Sequence, residues 1–210
     1  MRRLLACLAA LLAGLAGAQS TAPPAEGREY RVLEPARPTA SAYIEVIEFF
    51  YYGCNVCYEA QPHIARWLQV AGPDVRLRRI PAVSNEGWEP LARAYYALES
   101  LGEIERLHQA LFDGQHFDAR ELDREDKLLE WLAANSVDPD RFKAARSSVE
   151  TLRSIENSRR MGGMHAVRAV PTLAIGGRYV TSAHMAGGVT EMLVVAAHLL
   201  ERLRQERAAR

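Results

Sequence analysis

Residues 43–72 read YIEVIEFFYYGCNVCYEAQPHIARWLQVAG. Tyr43 to Phe50 is apolar at nearly every position, interrupted only by Glu45 and Glu48, which predicts a strand covered on both faces. Cys54 and Cys57 follow at once, opening a helix whose apolar side carries Ala60, Ile64, Trp67 and Leu68 and whose stop is Gly72. Val75 to Ile80 returns as a strand. Strand, helix and strand in this order predict an α/β fold with the cysteine pair at the strand-to-helix junction.

Outward from that unit the pattern changes. From Glu89 to about Gly162 the apolar residues keep helical spacing, punctuated by Gly102, Gly114 and Asp138-Pro139. Strand signals resume at Val170 to Ile175 and Arg178 to Thr181, joined by Gly176-Gly177, a hairpin turn that needs positive φ angles. A last amphipathic helix covers about Val189 to Arg207, and upstream Glu29 to Leu33 suits a short strand. The expected organisation is one α/β domain over 29–88 and 164–210, interrupted by a helical insert over 89–163.

The first 18 residues have the layout of an export signal: Arg2 and Arg3, a twelve-residue apolar core from Leu4 to Leu15, and Ala16-Gly17-Ala18 as a small-residue cleavage site. A lipid-attachment reading at Cys7 fails because the apolar core follows that cysteine instead of preceding it. Residues 19–28 read as a flexible leader. The whole chain balances 26 basic against 26 acidic side chains, and loss of Arg2 and Arg3 leaves a formal charge of about minus two. Such a chain has no basic surplus to hold nucleic acid. No apolar run reaches the roughly 20 residues of a membrane span, so a soluble, exported protein is expected.

Once the signal is removed, Cys54 and Cys57 are the only cysteines. At the first turn of a helix the sulfur of Cys54 faces unpaired amides, and these with the helix dipole favour a thiolate. A depressed thiol pKa makes a sulfur both a usable nucleophile and a good leaving group, the two demands of disulfide exchange. A purely structural bridge across so short a loop would stabilise little, and two thiolates are half of a structural zinc site. No metal or cofactor is therefore expected. Pro171, after Val170, opens a strand where a proline can turn the chain and leave the preceding backbone free to pair with a bound segment. Arg76, Arg78 and Arg79 read as the solvated face of a strand.

The run Glu48 to Cys57, together with Ala169-Val170-Pro171-Thr172 downstream, resembles the DsbA family of thioredoxin-fold thiol:disulfide oxidoreductases. Trp88, Leu91 to Tyr96, Leu101-Gly102, Leu107-His108 and Leu111-Phe112 resemble that family's inserted helical domain, and Gly176 to Val180 its usual turn and strand. The resemblance implies a thioredoxin-like fold with a helical insertion, and a redox-active Cys54–Cys57 disulfide. It makes Cys54 the attacking cysteine, Cys57 the resolving one and Pro171 a cis-proline packed against them. It also makes Glu48 a buried acid that exchanges protons with Cys57, and has Val170 offer its backbone to the substrate; with Tyr52 expected near the groove beside Pro171, the substrate contacts are Val170, Pro171 and Tyr52.

The activity so implied is the introduction of disulfides into folding exported proteins with free thiols, in the periplasm, by a monomer that a membrane oxidase regenerates. The alternatives are a reductase or isomerase using the same site, or a non-catalytic chaperone on the same scaffold. The family pattern breaks at Asn55 and Val56, where Pro and His are common. Valine supplies neither charge nor hydrogen bond, which predicts a less depressed Cys54 thiol and a weaker oxidant.

Overall fold

The computed structural model describes residues 22–37, 42–118 and 120–209. The expected signal and the first residues of the leader lie outside them. Five strands form one sheet: β1 (Tyr30–Val32), β2 (Ile44–Phe50), β3 (Val75–Pro81), β4 (Thr172–Ile175) and β5 (Tyr179–Ser182), in the spatial order β1-β5-β4-β2-β3. β2 runs parallel to β3 and antiparallel to β4, while β5 lies antiparallel to both β4 and β1.

β2 is thus an inner strand, and its two faces meet different helices. Ile44 and Val46 join a core with Ala60, Ile64 and Trp67 of α1 (Asn55–Ala71) and Leu199 and Leu200 of α8 (Val189–Ala208). Ile47 and Phe49 point the other way, into a smaller core with Ile80, Ala174 and Val180, against which Met161 and Val167 pack. Covering both faces requires the nearly continuous apolar run seen in the sequence. The short helix α7 (Ala183–Ala186), capped by Ser182, has no comparable signal in the sequence.

Between β3 and β4 the chain is helical: a single 3₁₀ turn at Glu86–Trp88, then α2 (Glu89–Ser100), α3 (Ile104–His116), α4 (Glu125–Ala134), α5 (Pro139–Arg146) and α6 (Val149–Met164). Leu91, Leu98, Leu107, Leu111, Phe112, Leu132 and Phe142 fill its interior. That interior also takes in Phe50, Tyr52 and Cys57 from the sheet unit. The cysteine pair therefore sits on the seam between the two units, one wall of its surroundings coming from each.

The Gly176-Gly177 turn has φ angles of 56° and 63°, the left-handed pair that joins two antiparallel strands without splaying them. A side chain at Gly177 would also collide with the Arg37 carbonyl. Among the described residues, no helix is long and apolar enough to cross a membrane.

Candidate active site

β2 ends at Phe50, and the next four residues turn the chain into α1. Cys54 is the N-cap, with extended φ and ψ of −96° and 116°, and its sulfur accepts the Cys57 N–H at 3.3 Å. A helix start needs a side-chain acceptor at this place, and here a sulfur fills it. The Cys54 thiol is lowered to about 6, foremost by the hydrogen bond from the Cys57 side chain and further by the Cys57 and Val56 amides. Partial burial and the charge of Glu59 oppose the shift. Cys57, one turn in, is fully buried, and burial pushes its thiol far up, with the neighbouring Cys54 adding to the effect.

The two sulfurs are thus made unequal by position alone. Cys54 is partly exposed, with a thiol lowered below neutrality; Cys57 is enclosed, with a thiol pushed up. Both stand as free thiols in this structure.

The Val170–Pro171 peptide is cis, and the Val170 carbonyl faces Cys54 with its oxygen 3.7 Å from the sulfur. Among the described residues no hydrogen bond engages the Val170 N–H. Pro171 is buried where β4 begins. Sequence positions 54 and 170 thus converge on one edge of the site.

Glu48 lies beneath the pair, with no exposed surface. It is held by Gln61 Nε2, which donates to Glu48 Oε1 at 2.7 Å and to the Cys57 carbonyl at 3.1 Å. Burial raises the Glu48 carboxyl, while the Arg79 charge and the Gln61 hydrogen bond resist. Arg79 Nε stands 3.3 Å from Glu48 Oε2 but out of line, so neither atom has a hydrogen-bond partner among the described residues. The reading of Arg79 as a solvated strand residue is therefore corrected. In the parallel register Glu48 pairs with Arg79, which brings both side chains to the α1 face of the sheet, whereas Arg76 and Arg78 alternate to the other.

The expected substrate contact of Tyr52 is also corrected. Its ring is 1% exposed, packs on Phe50 and Phe112, and its hydroxyl lies 2.8 Å from His108 Nδ1, so the side chain does not reach the surface. Tyr51 is the outward member of the pair. It stacks flat on Trp88, ring centroids 4.3 Å apart and 4° from parallel. Gly53 makes that possible, because a Cβ there would lie 2.5 Å from the Tyr51 ring.

α3 holds the turn from below at two points: His116 Nε2 donates to the Tyr52 carbonyl at 2.6 Å, and His108 meets the Tyr52 hydroxyl. Neither histidine stands out in the sequence for this role. The available signal is His108 on the apolar stripe of Ile104, Leu107, Leu111 and Phe112, and Gln61 one turn after Cys57 on the buried side of α1.

No family model matches the chain. Comparison with known proteins finds it 34% identical to the thiol:disulfide interchange protein DsbA of Azotobacter vinelandii, over 100% of both chains. Among solved structures it resembles DsbA of Pseudomonas aeruginosa, with a TM-score of 0.80 and 30% identity over 87% of this chain and 95% of that one. The oxidoreductase DsbA of Xylella fastidiosa gives a TM-score of 0.79 and 29% identity over 87% and 98%.

Proposed function

The chain belongs to the DsbA family of thiol:disulfide interchange proteins, and from that premise we propose that it introduces disulfides into folding proteins through Cys54 and Cys57. The observation that carries the assignment of roles is the asymmetry of the pair: Cys54 accepting a helix amide and partly exposed, Cys57 enclosed and held as a thiol.

In the oxidised form a client thiolate attacks Cys54 Sγ. The Cys54–Cys57 bond breaks, the client is joined to Cys54, and Cys57 leaves with the electron pair. Its high proton affinity makes it a poor leaving group unless a proton arrives, and Glu48, an acid of raised pKa beside it, supplies one. A second client thiolate then attacks the client sulfur of the mixed disulfide. Cys54 leaves as a thiolate stabilised foremost by the hydrogen bond from the Cys57 side chain and further by the Cys57 and Val56 amides. Two electrons pass from client to protein, and two client thiols become one disulfide. The reluctance of Cys57 to ionise slows its return attack and favours the client's second thiol.

Val170 and Pro171 form the client-facing edge, where the Val170 N–H, which has no partner among the described residues, and the carbonyl facing Cys54 suit an extended segment. The clients are exported proteins with free thiols. Signal cleavage and action in the periplasm fit the family and the first 18 residues, and a membrane oxidase restores the disulfide. The direction is tested by three assays on one preparation: oxidation of a reduced, unfolded client, reduction of insulin, and repair of a scrambled protein. Stoichiometric client oxidation that outruns the other two supports the proposal; dominant insulin reduction or scrambled-protein repair refutes it.

A further inference from the structure

Beneath the cysteines a polar chain crosses from the helical insert to the sheet: Tyr52, His108, Gln61, Glu48. Each is at most 6% exposed, so its hydrogen atoms have few places to go. Gln61 Nε2 gives its two N–H groups to Glu48 Oε1 and the Cys57 carbonyl. Gln61 Oε1 is left as an acceptor, 3.1 Å from His108 Nε2, which must then carry a proton. His108 Nδ1, 2.8 Å from the Tyr52 oxygen, is then bare and accepts from the Tyr52 hydroxyl. The donors all point one way, toward Glu48.

We propose that His108 is a positioning residue for disulfide exchange: its Nε2–H fixes the Gln61 amide in the orientation that donates to Glu48 and to Cys57. The reversed amide would turn its oxygen on the Glu48 carboxylate and the Cys57 carbonyl, two acceptors facing a third. With His108 in place that orientation also sets Nε2–H against the amide N–H groups. With His108 removed, Gln61 Oε1 is buried without a donor, and the amide has reason to turn or withdraw. Glu48 then loses the hydrogen bond that supports its anion, and proton exchange with Cys57 slows. The inference rests on the reading that Glu48 exchanges protons with Cys57.

The surroundings keep His108 neutral. Burial is the main cause that lowers its pKa, to about 3, and the Arg79 charge adds to it. The groups facing the chain are Arg79 from β3, Cys57 from α1, Tyr52 from the turn before Cys54, and Tyr95 from α2, with Phe50 and Phe112 as apolar walls. Of these Arg79 is the one permanent charge. The chain ties α3 of the insert to a carboxylate of the sheet, which gives the helical unit a part in the chemistry.

Two measurements test this. The ¹⁵N imidazole resonances of the reduced protein should show His108 as the neutral Nε2–H tautomer, unchanged from pH 4.5 to 8; an Nδ1–H tautomer, or titration within that range, overturns the proposal without need of any variant. The second follows release of glutathione from a Cys54–glutathione mixed disulfide by Cys57. His108→Phe should slow that release about tenfold at pH 7 and move its pH profile upward, leaving the Cys54 midpoint in place. His108→Gln, which restores a donor, should recover most of the rate. Wild-type release in His108→Phe, or no recovery in His108→Gln at equal thermal stability, overturns the proposal. Unchanged release in Glu48→Gln would instead overturn the Glu48 reading and leave the tautomer result standing.

Discussion

Val56 separates the two cysteines at the second position of α1, 41% exposed and without charge, while its own amide helps to hold the Cys54 thiolate. Val56→His would place an imidazolium about 5 Å from the Cys54 sulfur, a separation at which an opposite charge is worth roughly 0.8 kcal/mol in water and roughly 3 kcal/mol at an effective dielectric of 20. The position is more than a third exposed, so the gain lies toward the lower value, about 1.4 kcal/mol or one pKa unit. The Cys54 midpoint should fall from about 6 to roughly 5. The disulfide form has no Cys54 charge to stabilise, so the gain falls on the reduced form alone. At pH 7 both proteins are mostly thiolate, but the imidazole of the disulfide form is mostly neutral, so the reduction potential should rise by about 15 mV. Thiolate absorbance against pH, with a glutathione equilibrium on the same samples, reads both quantities. An unchanged or higher midpoint, or a potential that does not rise, refutes the account of Val56.

Alkylation of the reduced protein at pH 7 should modify Cys54 alone, with a rate midpoint near pH 6 and no second reactive thiol; Cys57 labelling at a comparable rate would count against its enclosure. The same lowered pKa adds stability to the reduced fold above the unfolded thiol value of about 8.5, and that contribution is lost as pH falls through about 6. Glu48 has the opposite sign: its carboxyl is raised by burial, so it costs stability once pH passes the unfolded value of about 4.3. The stability of Glu48→Gln relative to wild type, followed by denaturant titration, should therefore improve from pH 4 to pH 8. Gly53→Ala should displace Tyr51 from Trp88, seen as a change in tryptophan fluorescence, with little movement of the Cys54 midpoint. Phe112→Ala, which empties a fully buried position against Phe50, Tyr52 and His108, should cost about 3–5 kcal/mol of unfolding free energy.

The architecture was largely legible because each of its deciding elements is local. An apolar run ending in a helix with two cysteines, a Gly176-Gly177 turn and a long helical stretch need only periodicity and punctuation to be read. Of the candidate site, residue type alone singled out Cys54, Cys57 and the Val170-Pro171 pair, which the fold brings together. The site was not legible where function depends on pairing across the fold. Arg79 looks like its neighbours Arg76 and Arg78 until the β2–β3 register sets it opposite Glu48. Tyr51 and Tyr52 are adjacent aromatics of equal rank, and only the direction of the turn decides which one is buried. Gln61 and His108 are 47 positions apart and meet only through the docking of α3 on α1.

At the centre of the proposed function is a protein that gives its disulfide away. The reduction potential at pH 7, measured by equilibration with glutathione, tests that most directly. The Cys54 thiol, lowered to about 6, is ionised and stabilised at pH 7, and this favours the reduced form. The expected value is less negative than about −210 mV, the reducing edge of an oxidising secretory compartment. A more negative value would mean that the protein keeps its disulfide, and would contradict the claim.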